Sequence, residues 1–441
     1  MTSDRVKEVV RNLSEQGSYR NTREIIVGSI PFTARDVLIT APLFAALNVY
    51  LVGGTGEGKS QLATDLAGYF GESFAFMEGR PDFEPSELLK EINPILFEVI
   101  SGKRQVNETD LLRLTENVGR HLYYVDELNR AKPIVMNYFF NFFDGKLYYK
   151  GKPIRLGNNG YSVGFASGNL GNGAYVGVSD IDRALKDRMH MIIPLDDPDF
   201  QTEPEDDIRI FSGKKDPRVT LPDASKSQLE GIVEAHNEFL QRDVPAVLPV
   251  LGVYLHKGLD HLERTKRHSK RAVASKWPNI QGINQSNHEN KIMPLSKRAA
   301  LAAIGLSQSL EMIAEAKGYE GIDSVDLLLD ALKFIIPYSG VLSRQYVEIE
   351  HNEDTYAAFD DAIFGIRSDI SEKKEDLLRA IAIATCGERD DALLDKISAP
   401  GFSGEWFPVR KAIEAISMEP TFTHIKLVDI KEEYKKPEPP L

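Results

Sequence analysis

Through its first 200 residues the chain alternates two patterns: short runs that are apolar on both faces, and longer stretches whose apolar positions recur every three or four residues. The runs at 49–52, 73–77, 121–125, 161–166 and 189–195 have strand length and predict five buried strands. Between them, Leu62, Leu66 and Phe70 share one face of a helix that stops at Gly71, and 134–143 reads as an aromatic-rich helix. Strands alternating with helices imply a parallel α/β sheet, sandwiched by helices, with its working edge at the strand C-termini.

The flanking stretches have weaker patterns. Val6, Val9, Val10 and Leu13 recur at helical spacing among charges, which predicts a short amphipathic helix lying on the main body. Residues 23–29 are β-rich and read equally as the wall of a base pocket or as an edge strand. The stretch 80–89 reads as a loop capping a helix at Ser86, 91–119 has mixed periodicity, and 146–153 is hairpin-like. Beyond the fifth strand the composition turns acidic and Pro-containing, as in a linker. Helical periodicity then holds to about residue 397, strongest at 225–240, 245–276, 296–318 and 324–337, with 277–293 a loop rich in Asn, Gln and Gly. The end, Lys435-Lys436-Pro437-Glu438-Pro439-Pro440, reads as a mobile tail.

Composition changes this picture little. With 42% hydrophobic and 27% charged residues over 441 positions, the chain can bury two or three cores and is not disordered by default. A net charge of −13 argues against wholesale coating of nucleic acid but leaves room for a local basic patch. One such stretch lies within 257–276, where Lys257, Arg264, Lys266, Arg267, Lys270, Arg271 and Lys276 accompany an apolar stripe of Leu251, Leu255, Leu259 and Leu262. It reads as a solvated helix face, or as a basic helix that binds nucleic acid or an acidic partner. Cys386 is the only cysteine, no signal-peptide core opens the chain, and no apolar run approaches the roughly 18 residues of a membrane span, so a reducing cytoplasm is expected.

Candidate chemistry begins at Gly53-Gly54-Thr55-Gly56-Glu57-Gly58-Lys59-Ser60, where two glycines frame four residues and Lys-Ser follows, between a strand and a helix. Glycines at such a turn let backbone N–H groups close on phosphate oxygens, and the helix N-terminus adds its positive dipole end. Lys59 would reach the outer phosphates and Ser60 would give a hydroxyl to Mg²⁺; Gln61 is counted with them as nucleotide-binding. The third strand ends in Asp126-Glu127. Beside a phosphate loop, Asp126 at the strand tip can hold the water shell of Mg²⁺ while Glu127 points toward an attacking water. Asn169, at the tip of the next strand, can orient that water.

In this order the elements resemble the AAA+ ATPases, and specifically the MoxR-like group. The resemblance is carried by 53–60, by 80–89, by Tyr124-Val125-Asp126-Glu127-Leu128-Asn129-Arg130-Ala131, by 166–169, by Ala184-Leu185-Lys186-Asp187-Arg188 and by Leu295-Ser296-Lys297-Arg298-Ala299-Ala300, and it spans roughly 23–340. It implies an AAA+ core followed by an α-helical lid domain and a mostly helical C-terminal extension. The divisions expected are 1–22 for the N-terminal helix, 23–200 for the core, 201–224 for the linker, 225–345 for a lid with an enlarged insertion, and 346–441 for the extension and tail. It further implies ATP and Mg²⁺ at the loop, Glu127 as base, Asn169 as sensor 1, and Arg298 as sensor 2, acting within or between subunits. Arg188 is implied as an arginine finger reaching a neighbouring subunit, with Arg183 competing for that role. A ring, expected as a hexamer, that remodels or assembles a client protein follows from the resemblance, with a nucleic-acid motor or switch as the alternative.

Overall fold

The computed structural model describes residues 2–80, 90–92, 112–114, 116–149, 152–169, 183–213, 216, 218–219, 227–263, 265–277, 290–401 and 403–419. The chain divides into two compact units. One comprises Met1–Ile26, Pro31–Phe239 and Met312–Gly318, the other Val27–Ile30, Leu240–Glu311 and Tyr319–Leu441.

The strands in chain order are β1 (Glu24–Val27), β2 (Ile30–Thr33), β3 (Val49–Val52), β4 (Phe74–Glu78), β5 (Lys90–Ile92), β6 (Leu112–Leu114), β7 (Leu122–Asp126), β8 (Lys146–Tyr149), β9 (Lys152–Arg155), β10 (Val163–Gly168) and β11 (Met191–Pro194). Five of them form the central sheet in the order β11-β3-β10-β7-β4, every pair parallel. β3, β10 and β11 are buried at every position and β7 at all but its last, because helices cover both faces and no side chain can turn to water. This agrees with the predicted sheet. The hairpin at 146–153 is also present as the antiparallel pair β8 and β9.

The register determines what meets at the sheet edge. Gly168 and Pro194 both lie level with Val52, Ala166 lies level with Val125, and Glu78 with Asp126. β10 therefore separates the strand that feeds the Gly-rich loop from the strand that ends in the carboxylate pair. Its tip, Ser167 to Asn169, falls between them.

Around this sheet the first unit adds the helices Asp4–Glu15, Lys59–Phe70, Pro133–Phe143, Pro204–Gly213 and Leu229–Gln241. Asp4–Glu15 begins at Ser3, whose hydroxyl accepts from the Val6 N–H, and it buries Val6, Val9, Val10 and Leu13 as its spacing predicts. Gly231 lets the helix Leu229–Gln241 approach it closely, since a Cβ there would stand 2.5 Å from Val9. Two sequence expectations fail in secondary structure. Within 201–224, read as linker, Pro204 stands at the first position of a helix and Glu205, Asp206 and Asp207 fill its first turn, where acids suit the helix dipole. And the described residues of 257–276 form no α-helix.

In the second unit the helix Val247–Val253 passes into one wide turn at Tyr254–Gly258. From there to Trp277 the described chain runs in turns, with a short 3-10 turn at Arg271–Val273 and His268 at φ +47°. All four leucines of the stripe are buried, Leu251 and Leu255 on the helix end and Leu259 and Leu262 in the turns after it. Lys270 is 1% exposed and its ammonium donates to the Ile292 carbonyl at 2.9 Å. Arg271 donates to the Leu295 and His256 carbonyls. Lys270 thus serves the fold, while Lys266, Arg267, Arg271 and Lys276 are exposed.

The described residues of the unit are otherwise mainly helical, as expected. Its longest helix, Thr355–Thr385, starts at Asp354, which caps the Ala357 N–H, and it packs on Asp391–Ile397 and Phe407–Met418. Residues 81–89, 278–289 and the tail lie outside the described residues, as does Ser86 with its predicted cap. Among the described residues no helix is long and apolar enough to cross a membrane.

Candidate functional site

Where β3 ends the chain must turn sharply into the helix Lys59–Phe70, and glycines make the turn. Gly56 takes φ +99° and Gly58 +82°, left-handed values that only glycine adopts without strain. Gly58 is also crowded, because a Cβ would lie 3.0 Å from the Tyr19 ring. The loop is tied to the neighbouring strand by the Gly53 N–H, which donates to Gly168. Lys59 folds back over the loop and its ammonium donates to the Gly53 and Gly54 carbonyls at 2.8 and 2.5 Å. A fixed cation above a glycine turn at a helix N-terminus is an anion cradle.

Two strands away, β7 delivers Asp126 and Glu127. The Ser167 hydroxyl donates to the Asp126 carboxylate and accepts from the Glu127 N–H at 3.2 Å, so β10 orients both members of the pair. Glu127 takes φ +51°, unusual for a residue with a Cβ, and opens the 3-10 turn Leu128–Arg130. Its carboxylate meets the Arg130 guanidinium at 2.8 Å. Asn129, 4% exposed, donates from its side-chain amide to the Asn169 carbonyl at 2.6 Å. Gly79 and Gly168 leave the room this needs: Cβ atoms there would fall 2.4 Å from the Glu127 carbonyl and 2.0 Å from the Tyr50 hydroxyl.

Loop and carboxylates open on one cleft of about 960 Å³. Thr55, Gly56, Glu57, Gly58, Lys59, Ser60 and Gln61 line it, together with Asp126, Glu127, Arg130 and Asn169. These are among the residues that the sequence singled out. A further part of the lining was not foreseen. It consists of Gly17, Ser18, Tyr19 and Arg20 from the segment after the first helix, and of Phe200, Thr202, Asp207, Arg209, Ile210, Phe211, Gly213 and Val219. The stretch 23–29, weighed as a pocket wall, contributes β1 and does not line the cleft.

The unforeseen wall is held by a buried ion pair. Asp65, on the hidden face of the loop helix, accepts from the Ser18 and Tyr19 N–H groups at 2.8 and 2.9 Å and pairs with Arg35 at 2.9 Å. Arg35 also donates to the Leu13, Gln16 and Tyr19 carbonyls. Gly17, at φ +134°, must be glycine, since a Cβ would strike Asp65 and Arg35. Burial pushes the Tyr19 hydroxyl up to about 12, so it remains a neutral, packed ring. Asp206 then fastens the second wall segment by accepting from the Thr22 N–H and hydroxyl at 2.7 and 2.9 Å.

The donor set fits a nucleotide phosphate chain and a hard cation. Mg²⁺ retains several waters and takes one or two carboxylates plus phosphate oxygens, so the Ser60 hydroxyl and Asp126 meet its needs. The two arginines proposed for the neighbour's site are elsewhere. Arg188 pairs with Asp144 at 3.2 Å, donates to the Ala184 carbonyl and lies 4.3 Å from the centre of the Phe140 ring. Arg183 is exposed at the start of the short helix Arg183–Lys186. Neither lines the cleft. Arg298 stands in the first turn of the helix Lys297–Ala316, in the second unit.

Strand order, loop and carboxylate pair together define an AAA+ core. Residues 48–189 match the AAA domain of the dynein-related subfamily. MoxR of Methylorubrum extorquens is 32% identical over 98 residues, which is 22% of this chain and 27% of that protein. YojN of Bacillus subtilis, itself uncharacterised, is 28% identical over 175 residues, 38% of this chain and 55% of that protein. The chain thus spans about half of one curated relative and about a quarter of the other. A provisionally named ATPase from Cytophaga hutchinsonii, solved at 2.00 Å, aligns over 81% of this chain and 94% of its own with a TM-score of 0.50 and 15% identity, a likeness of fold. Residues 48–189 thus form an AAA domain, and the chain is similar to the MoxR-like group of AAA+ proteins.

Proposed function

We propose that the chain hydrolyses ATP, and that it does so in an oligomeric ring in the cytoplasm to remodel or assemble a partner protein complex. One observation carries the hydrolytic part: a single cleft is lined at once by the phosphate loop, Lys59, Ser60, Asp126, Glu127 and Asn169. Lys59 and the loop N–H groups hold the phosphates, and Glu127 accepts the proton of the water whose oxygen attacks the γ-phosphorus as the bond to ADP breaks. Asn169 aligns that water. Mg²⁺ at Ser60 and Asp126 would neutralise charge on the phosphates. Arg188 or Arg183 then serves a neighbouring subunit on assembly, Arg298 acts within or between subunits, and the client-specific task falls to the helical additions of the second unit.

Lys59→Ala and Glu127→Gln separate binding from chemistry, because one removes a cation from the phosphates and the other only a proton acceptor. We expect Lys59→Ala to lose both ATP affinity and turnover. Glu127→Gln should bind ATP normally and lose turnover by roughly 10²–10⁴-fold, the usual contribution of general-base catalysis. Turnover in Glu127→Gln within a few-fold of the wild type would overturn this assignment of the base. The same variant, loaded with ATP, is the bait for the client.

A further inference from the structure

Arg130 lies beside the proposed base, and neither phosphate binding nor the fold accounts for it. Its guanidinium meets Glu127 Oε2 at 2.8 Å, and both side chains line the cleft. The turn that carries the two is held on every side. Arg130 N–H donates to the Glu127 carbonyl, Glu127 N–H donates to Ser167, and the buried Asn129 amide donates to the Asn169 carbonyl. The Glu127 carbonyl also presses on Gly79, leaving no room for a Cβ. With the backbone immobilised at φ +51°, the freedom left to Glu127 is in its side-chain torsions. Those torsions decide whether the carboxylate faces a water in the cleft.

We propose that Arg130 is a positioning residue for hydrolysis, which holds Oε2 of Glu127 and leaves Oε1 free to accept the proton of the attacking water. The proposal rests on the reading of Glu127 as general base. Arginine suits the task, since it is charged at every working pH and its planar fork fixes an oxygen in direction as well as distance. The pair is exposed by 44% at Arg130 and 30% at Glu127, so water and salt screen it and its contribution to folding is small. Its effect is therefore on orientation.

The test is a split of kinetic constants in the full-length chain. Arg130→Ala should lower kcat by about tenfold or more while KM, and the affinity for a fluorescent ATP analogue, stay within about twofold, the pattern of an interaction that matters in the transition state. Arg130→Lys should recover part of the loss, and thermal melting of both variants should match the wild type. A residue acting only through Glu127 must also be non-additive with it: in a Glu127→Asp background, where the carboxylate is already withdrawn, Arg130→Ala should change the single-turnover rate less than twofold. An unchanged or increased kcat in Arg130→Ala, a loss of nucleotide affinity of the same size as the loss of rate, or full additivity with Glu127→Asp would each overturn the proposal. A wild-type protein that binds ATP without hydrolysing it would instead overturn the parent reading, and this one with it.

Discussion

Asp65 shows how much of the cleft depends on a residue with no part in the chemistry. It sits at 4% exposure between Leu62 and Leu66, where the helical pattern calls for an apolar side chain. Removing one partner of such a buried pair leaves the other charge without compensation, at a cost of about 3–5 kcal/mol. Asp65→Ala should lower the unfolding free energy in urea by that order and also weaken ATP binding, because the Ser18 and Tyr19 N–H groups lose the acceptor that holds this part of the lining. Replacing both partners, Arg35→Leu with Asp65→Ala, should restore part of the stability and little of the binding. Stability and affinity that recovered together would show that the pair does not anchor the wall. The same residues show why half the site was legible. Lys59, Ser60, Asp126 and Glu127 sit in contiguous motifs whose chemistry depends on residue type and spacing. Gly17 to Arg20 line the cleft and are held there by an arginine and an aspartate 30 residues apart, and a linear pattern does not register such a link.

Elements were legible where burial is complete and illegible where a pattern admits two geometries. β3, β7, β10 and β11 announce themselves because strands covered on both faces must be apolar throughout. Pro204 and its acids look like linker, yet proline at the first helical position and acids in the first turn are equally a helix start. Leu251, Leu255, Leu259 and Leu262 have helical spacing, and the chain satisfies it with a helix end followed by turns. Packing between elements also creates a pH response. On the helix Leu229–Gln241, His236 donates from Nδ1 to the Phe44 carbonyl at 2.7 Å and lies 4.8 Å from the Tyr161 ring, and burial lowers its pKa from 6.5. Burial lowers His121 in the same way. In both cases the unfolded chain takes up a proton at a pH where the folded chain does not. Stability is therefore full above about pH 6.5 and falls as the pH drops through that value toward the lower folded-state pKa. The melting temperature should decline between pH 6.5 and 5, and less steeply in His236→Gln, which keeps a donor for Phe44 and cannot titrate. Equal slopes in the two proteins would assign the acid response to other groups.

At the scale of the whole molecule the open matter is assembly, and Arg188 supplies the handle. Its guanidinium is engaged with Asp144, Ala184 and the Phe140 ring, off the cleft of its own chain. An arginine finger matters when it is desolvated beside a γ-phosphate, where related systems lose roughly 10³–10⁵ in rate without it. On the proposed reading, an Arg188 finger that is off its own cleft serves another copy. Arg188→Ala should then bind ATP as the wild type does and fail to hydrolyse it, and Glu127→Gln should fail for an independent reason. Mixed, the two inactive chains should regain part of the wild-type activity, because an intact Glu127 on one subunit can meet an intact Arg188 on the next. Arg188→Ala must also leave folding unchanged for the result to count, and since the Asp144 pair is only about one-fifth exposed, its melting curve is the control. Full activity in Arg188→Ala would pass the finger role to the exposed Arg183. A wild-type specific activity independent of concentration down to strict monomer would remove the shared site and the ring together.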